Sequence, residues 1–143
     1  MRYERSAGAV IFRRNEGRVR YLLLHYPAGH WDFVKGNIEK GESEVETVRR
    51  ETEEETGISR IKIFEGFREE ISYKYRRDNE LIHKEVVFYL AETDEEEVSL
   101  SYEHTGFKWL SYEDAMKTLT YENAREVLRK ARALLLKLGI EED

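Results

Sequence analysis

Three glutamates, Glu51, Glu54 and Glu55, stand within five residues of one another. They lie in a stretch that reads GNIEKGESEVETVRRETEEETGI over 36–58. If the segment around them is helical, at about 100° per residue, Glu51 and Glu55 lie about 40° apart, and Glu54 sits about 60° further round from Glu51. Val45, Val48, Thr52 and Thr56 fall on the adjoining side and are expected to face a core, with Glu46 and Glu53 directed to solvent. The strip that gathers the three carboxylates is expected to carry no cation. Two readings are open. Glutamate is a good helix former, and the strip could be a solvated face. Alternatively, like charges this close repel and raise one another's pKa, and a hard divalent cation such as Mg²⁺, which prefers carboxylate oxygens and substrate phosphates, removes that penalty.

The flanking residues define the element that would hold this strip. Ser43 can cap a helix, and Glu46, three residues on, completes a capping box. Gly57 can close the helix in a left-handed conformation. The expected helix is therefore 44–56, framed by two glycine-containing loops. Before it, SAGAVIFRR (6–14) and RVRYLLLHY (18–26) flank NEG and predict a hairpin. PAGHWDFVKG (27–36) reads as a loop with short extended pieces. After it, two strands are expected over 61–76 and 81–93, around RDN, then a short strand entering a helix over 106–115. In 122–139, Ala124, Val127, Leu128, Ala131, Leu134, Leu135 and Leu138 recur at helical spacing on one face. The order β-β-α-β-β-β-α predicts an α/β (α+β) fold, a mixed sheet sandwiched between helices. The 143 residues predict a single domain, 1–143.

Composition narrows the function classes. A net charge of −6 argues against a non-specific nucleic-acid or anionic-membrane partner. The absence of cysteine removes disulfides, thiol nucleophiles and thiolate zinc sites. Apolar runs such as YLLL and VVFYLA are too short to span a bilayer, and MRYERSAGAVIF lacks a signal-peptide pattern. A cytoplasmic protein is expected. Charged residues make up 38% of the chain, with one proline, a balance also seen in thermophile proteins.

From Gly36 the chain reads glycine, five residues, Glu42, seven residues, Arg50-Glu51-Thr52, one residue, Glu54-Glu55, one residue, Gly57-Ile58. This spacing resembles the Nudix box of the Nudix hydrolase family at all seven fixed residues. Thr52 occupies an aliphatic slot and is the one departure; it is β-branched and nearly isosteric with valine. The resemblance implies a loop–helix–loop that binds divalent metal and hydrolyses a nucleoside diphosphate linked to a further group. It implies that Glu51, Glu54 and Glu55 ligate metal or activate water, that Gly36 offers a backbone carbonyl to metal, and that Glu42 and Arg50 brace the loop. The implied cofactor is Mg²⁺, with Mn²⁺ as an alternative. Such a cation neutralises phosphate and lowers the pKa of a water that attacks phosphorus.

The box does not choose the substrate. Ile71, Tyr73 and Tyr75 share one face of a strand, either as sheet packing or as a surface for a base. SAGAVIFRR, YLLLHY, HWDFVKGNIEKGE, EGFREEISY and YEHTGFKWLSYEDA together resemble, over nearly the full length, the asymmetrical diadenosine tetraphosphate hydrolases of animal and archaeal type. That resemblance implies that Glu103 joins the metal site from outside the box. It also implies that Lys35 and Lys84 contact phosphates and that aromatics near Tyr73 and Tyr121 hold adenine. His30 lies in the matching loop and can reach phosphate, although His30 and His104 equally suit partly buried loop histidines. Tyr121 equally suits an aromatic at a helix start. Lys84 lies in an otherwise apolar strand on the face of Val86 and Phe88, where a pocket would explain it. The expected reaction splits diadenosine tetraphosphate into ATP and AMP; the expected partner is a small nucleotide, with no nucleic acid and no membrane. The alternatives are another dinucleoside polyphosphate, an RNA 5′ end, an inositol pyrophosphate, or a non-catalytic nucleotide-binding module.

Overall fold

A computed structural model describes residues 1–142. The long first strand, β1 (Arg2–Asn15), turns through Glu16 and Gly17 into β2 (Arg18–His25). Both turn residues have positive φ, 52° and 78°, as a two-residue hairpin that matches the twist of its strands requires. Short strands β3 (Trp31–Asp32) and β4 (Val34–Asn37) follow, then helix α1 (Glu44–Thr56). After β5 (Lys62–Ile63) come β6 (Glu69–Arg77) and β7 (Glu80–Glu92), joined by Asp78 and Asn79, both again at positive φ. Strand β8 (Gly106–Leu110) leads into α2 (Tyr112–Thr118) and α3 (Glu122–Lys137).

The expected single strand over 61–76 is two strands. Gly66, at φ 86°, turns the chain between β5 and β6, a conformation that costs glycine little. The loop at 27–36 contributes two strands, and the chain closes on two helices, as the readings of 106–115 and 122–139 expect, one more than the order β-β-α-β-β-β-α counts. The fold class is as expected. The eight-stranded sheet is mixed, because β1 pairs in parallel with β7 from Arg2↔Ile82 to Phe12↔Glu92. The other edge of β1 is shared between antiparallel partners, β4 along Ser6–Ala9 and β2 along Phe12–Asn15.

Strands β1 and β7 are covered on both faces, which is why GAVIF and VVFYL read as continuous apolar runs rather than alternating ones. Val10, Phe12, Val86, Phe88 and Leu90 meet Ala124, Val127, Leu128, Ala131 and Leu135 of α3. Ala7, Ala9, Ile11 and Val87 face Val48 of α1 and Ile58. Each fully buried aliphatic or aromatic side chain contributes roughly 1.5–3 kcal/mol, so both helices are clamped to the sheet by its central strands. Among the described residues, no helix is long and apolar enough to cross a membrane.

Candidate active site

Helix α1 is fixed at both ends by local chemistry. Ser43 Oγ accepts the Glu46 amide at 3.1 Å, and Glu46 Oε1 accepts the Ser43 amide at 2.8 Å. Gly57 closes the helix at φ 76°, its amide donating to the Glu53 carbonyl. Val48, Thr52 and Thr56 are buried as expected, but Val45 is only half-buried. Thr47 is buried near its end of the helix, with its hydroxyl donating to Glu42 Oε1 at 2.6 Å.

Arg50 holds the preceding loop. Its Nε and Nη2 donate to the two oxygens of Glu42 at 2.6 and 3.0 Å, and Nη2 also donates to the Asn37 carbonyl at 2.9 Å. The Arg50 guanidinium holds the Glu42 carboxyl down at about 2, and the hydroxyl of Thr47 adds to the effect. The carboxylate strip is not free of cations, contrary to expectation. Arg50 Nη1 also reaches Glu51 Oε1 at 2.7 Å and Glu54 Oε2 at 3.1 Å. The guanidinium is a planar fork with five donors, and its position between loop and helix lets it serve both.

Glu51 is 9% exposed and Glu55 5%, which rules out a solvated face for these two; Glu54 is exposed. One carboxylate oxygen from each lies within 4.8 Å of the other two. Oxygens around one octahedral Mg²⁺, with bonds of about 2.1 Å, stand roughly 3–4 Å apart, so the spread suits one cation or a close pair. Burial raises the pKa of Glu51 despite the pull of Arg50. Glu55, with no arginine of its own, is pushed up to about 7, by burial first and then by the neighbouring Glu103 and Glu51 carboxylates. The unrelieved negative charge is thus concentrated beside Glu55. Gly36, on β4, completes the cradle: a Cβ there would lie 2.0 Å from Glu51 Cδ. Hard oxygen donors, a charge deficit and a strand with no side chain in the way fit a divalent cation.

Glu103 lies on the loop before β8, with its amide donating to Ser101 Oγ at 3.2 Å. The same hydroxyl donates to Glu55 Oε2 at 2.8 Å. His104 Nδ1 lies 2.6 Å from that oxygen. His104 is therefore buried at the carboxylate cluster and does not line the cavity described next.

A cavity of about 470 Å³ is linked to this cluster through His30, which lines it and stacks on Tyr26, the ring that stands edge-on to His104. Six of the residues singled out in the sequence line it: His30, Lys35, Tyr73, Tyr75, Lys84 and Tyr121. Ile71, Asp32 and Asn123 line it too. Tyr73 stands opposite Lys84 in the β6–β7 ladder, so strand pairing sets an aromatic beside an ammonium. The Tyr73 and Tyr75 rings are 6.0 Å apart, tilted by 38°. Tyr75 is held by its hydroxyl, which donates to Glu4 Oε1 at 2.9 Å. His30 stacks on Tyr26 at 4.7 Å and stands 5.6 Å from Tyr121. Tyr121 is at once the residue before α3 and part of the cavity wall.

The two lysines differ electrostatically. Lys35 donates to Asp32 Oδ2 at 3.0 Å and lies 5.7 Å from the Tyr73 ring. Burial opposes its charge, but Asp32 and Tyr73 outweigh burial and its pKa rises. Lys84 has no direct ion pair among the described residues, and burial, with Lys35 nearby, lowers its pKa. It is a half-buried cation that Glu4 offsets only in part, not a solvated strand end. Asp32, Asn123 and Ser101 were not singled out in the sequence. Asp32 adjoins Trp31 in the quoted HWDFVKG, yet only its contact with Lys35 separates it from an ordinary polar loop residue.

The NUDIX domain family model matches residues 2–131. The asymmetrical bis(5′-nucleosyl)-tetraphosphatase of Mus musculus is 36% identical over 143 residues, covering 92% of this chain and 95% of that protein. The enzyme of the same name from Caenorhabditis elegans is 36% identical, covering 92% and 96%. A solved C. elegans Ap4A hydrolase binary complex superposes with a TM-score of 0.84 at 34% identity, covering 94% of this chain and 98% of that one. With the three box glutamates gathered on α1 and the family match spanning nearly the whole chain, the protein belongs to the Nudix hydrolase family.

Proposed function

We propose that this Nudix hydrolase cleaves diadenosine tetraphosphate asymmetrically, giving ATP and AMP. The observation that carries the reading is the adjacency of two built sites. An aromatic cavity with two lysines is joined to buried glutamates through His30, Tyr26 and His104, and Lys35 adjoins Gly36, which abuts Glu51. In this reading Glu51, Glu54, Glu55 and Glu103, with the Gly36 carbonyl, hold Mg²⁺ or Mn²⁺. The cation neutralises phosphate charge and makes a water more acidic. Tyr73, Tyr75 and Tyr121 hold an adenine, while Lys84, Lys35 and His30 guide the polyphosphate toward the glutamates. Glu42 and Arg50 keep the loop in place without touching substrate. Buried, mutually repelling carboxylates favour catalysis over a silent binding module, which has no need of them. The names of the relatives, at about one-third identity over more than nine-tenths of the chain, support the substrate. The test is a hydrolysis panel with Mg²⁺: diadenosine tri-, tetra- and pentaphosphate, capped and 5′-triphosphate RNA, and inositol pyrophosphates, with products resolved by chromatography. ATP and AMP in equal amounts from the tetraphosphate are expected. ADP as the main product, or faster turnover of a non-dinucleotide, overturns the assignment.

A further inference from the structure

The inner oxygen of Glu55 is held by two donors from outside the Nudix box. Ser101 Oγ donates to Oε2 at 2.8 Å, and His104 Nδ1 lies 2.6 Å from the same atom. The His104 side chain is 2% exposed, and its Nε2 has no hydrogen-bond partner among the described residues. A buried N–H without a partner is costlier than a buried lone pair without one. The proton of the neutral ring therefore sits on Nδ1, aimed at Glu55. Tyr26 stands edge-on to His104 at 4.5 Å, and is itself held by its hydroxyl, which donates to the Phe33 carbonyl at 2.8 Å. The loop is tied to the end of α1 by its backbone as well: the Ser99 amide donates to the Thr56 carbonyl at 2.8 Å and the Ser101 amide to the Glu55 carbonyl at 3.3 Å.

We propose that Ser101 and His104 are positioning residues that occupy Oε2 of Glu55 and so leave Oε1 free to face the cation. The final torsion of a glutamate is broad and nearly two-fold. Two donors fixed by a buried ring and a tied loop select one of its orientations. Neither residue touches substrate, so their loss weakens metal binding before it changes nucleotide recognition. Outer hydrogen bonds of this kind change metal affinity about 10–100-fold in other sites. The inference rests on reading Glu51, Glu54 and Glu55 as the cation site.

The experiment is Mn²⁺ titration by calorimetry without nucleotide, together with melting in EDTA, for the wild type, His104→Phe, His104→Asn and Ser101→Ala. His104→Phe keeps a ring against Tyr26 but loses the donor, and should weaken Mn²⁺ about 10–100-fold. Ser101→Ala, at a partly exposed position, should weaken it about tenfold. His104→Asn, whose Nδ2–H can stand where Nδ1–H stands, should stay within about threefold of wild type. Wild-type affinity in His104→Phe or Ser101→Ala overturns the proposal. So does equal weakening in His104→Asn and His104→Phe, which would make His104 a packing residue. Should His104→Phe not fold, Ser101→Ala against His104→Asn decides. A wild type that binds no Mn²⁺ would instead refute the cation site itself.

Discussion

Gly36→Ala isolates the carboxylate geometry. Gly36 is not among the glycines with positive φ, so alanine brings no backbone strain there. What it brings is one methyl, whose carbon would lie 2.0 Å from Glu51 Cδ and 2.3 Å from each of its oxygens. Ordinary contact begins near 3.4 Å, so the Glu51 carboxyl must retreat by about 1.4 Å, the difference between those two separations. Metal–oxygen bonds tolerate about 0.2 Å, and a misplacement of about 1 Å costs about 10²-fold in a positioned reaction. Glu51 cannot retreat inward, because it is buried and tied to Arg50 at 2.7 Å. Gly36→Ala should therefore lower kcat about 10²-fold or more at saturating Mg²⁺ and weaken Mn²⁺ binding about tenfold or more. Strand β4 should still pair with β1, and circular dichroism should be unchanged. The assay is kcat against Mg²⁺ concentration on diadenosine tetraphosphate, with Mn²⁺ titration alongside. Turnover within threefold of wild type would show that Glu51 works from another position, or does no work.

Other substitutions test the remaining parts. In metal-free protein, the raised pKa of Glu55, about 7 against 4.5 unfolded, means that the folded state holds a proton the unfolded chain gives up. That contribution is present below about pH 4.5 and is lost as pH rises through about 7; its size is at most about 3 kcal/mol. The gain in Tm from Mg²⁺ should therefore be larger at pH 8 than at pH 6, and an equal gain at both counts against the charge deficit. Glu55→Gln should reduce the fall in metal-free Tm between pH 6 and pH 8 and lower kcat about 10²–10⁴-fold with the fold intact. Arg50→Ala, which loses its bonds to Glu42, Asn37, Glu51 and Glu54, should lower both Tm and metal affinity; a change in KM alone, with Tm intact, would make Arg50 a phosphate ligand. Lys84→Ala should reduce kcat/KM more for tetra- than for triphosphate substrates. Tyr73→Ala should reduce both alike, by about five- to 150-fold, the equivalent of roughly 1–3 kcal/mol of stacking. If both variants leave kcat/KM unchanged, the cavity does not hold the nucleotide.

What could be read from the sequence was what depends on near neighbours in the chain. Ser43, Glu46 and Gly57 set the ends of α1 through bonds spanning three or four residues. The meeting of Glu51 and Glu55 follows from helical spacing alone. What could not be read depends on distant segments. Ser101 and His104 reach Glu55 across 46 and 49 positions, respectively, through a loop with no regular structure. Arg50 was expected at Glu42, but its reach to Glu51 and Glu54 depends on where the loop places the guanidinium. The cavity draws on residues 30–35, 71–75, 84 and 121–123, and an aromatic and a lysine become neighbours only through the β6–β7 register. The break at Gly66 is not legible in the sequence, because one glycine in a β-rich run reads equally as a bulge.

The parallel pairing of β1 with β7 also bears on how the chain reaches this state. Arg2 meets Ile82, 80 positions away, and pairings so far apart are closed late, at a cost in loop entropy that slows folding. On a ribosome adding about 5–20 residues per second, the N-terminal strand waits roughly 4–16 s for its partner to be synthesised. During that wait β2 and β4 can cover only one edge of β1, and the other leaves the backbone of AGAVIF open to a neighbouring chain. Slower elongation lengthens that exposure and faster elongation shortens it, so the yield of active enzyme should depend on the pace of translation between β4 and β7.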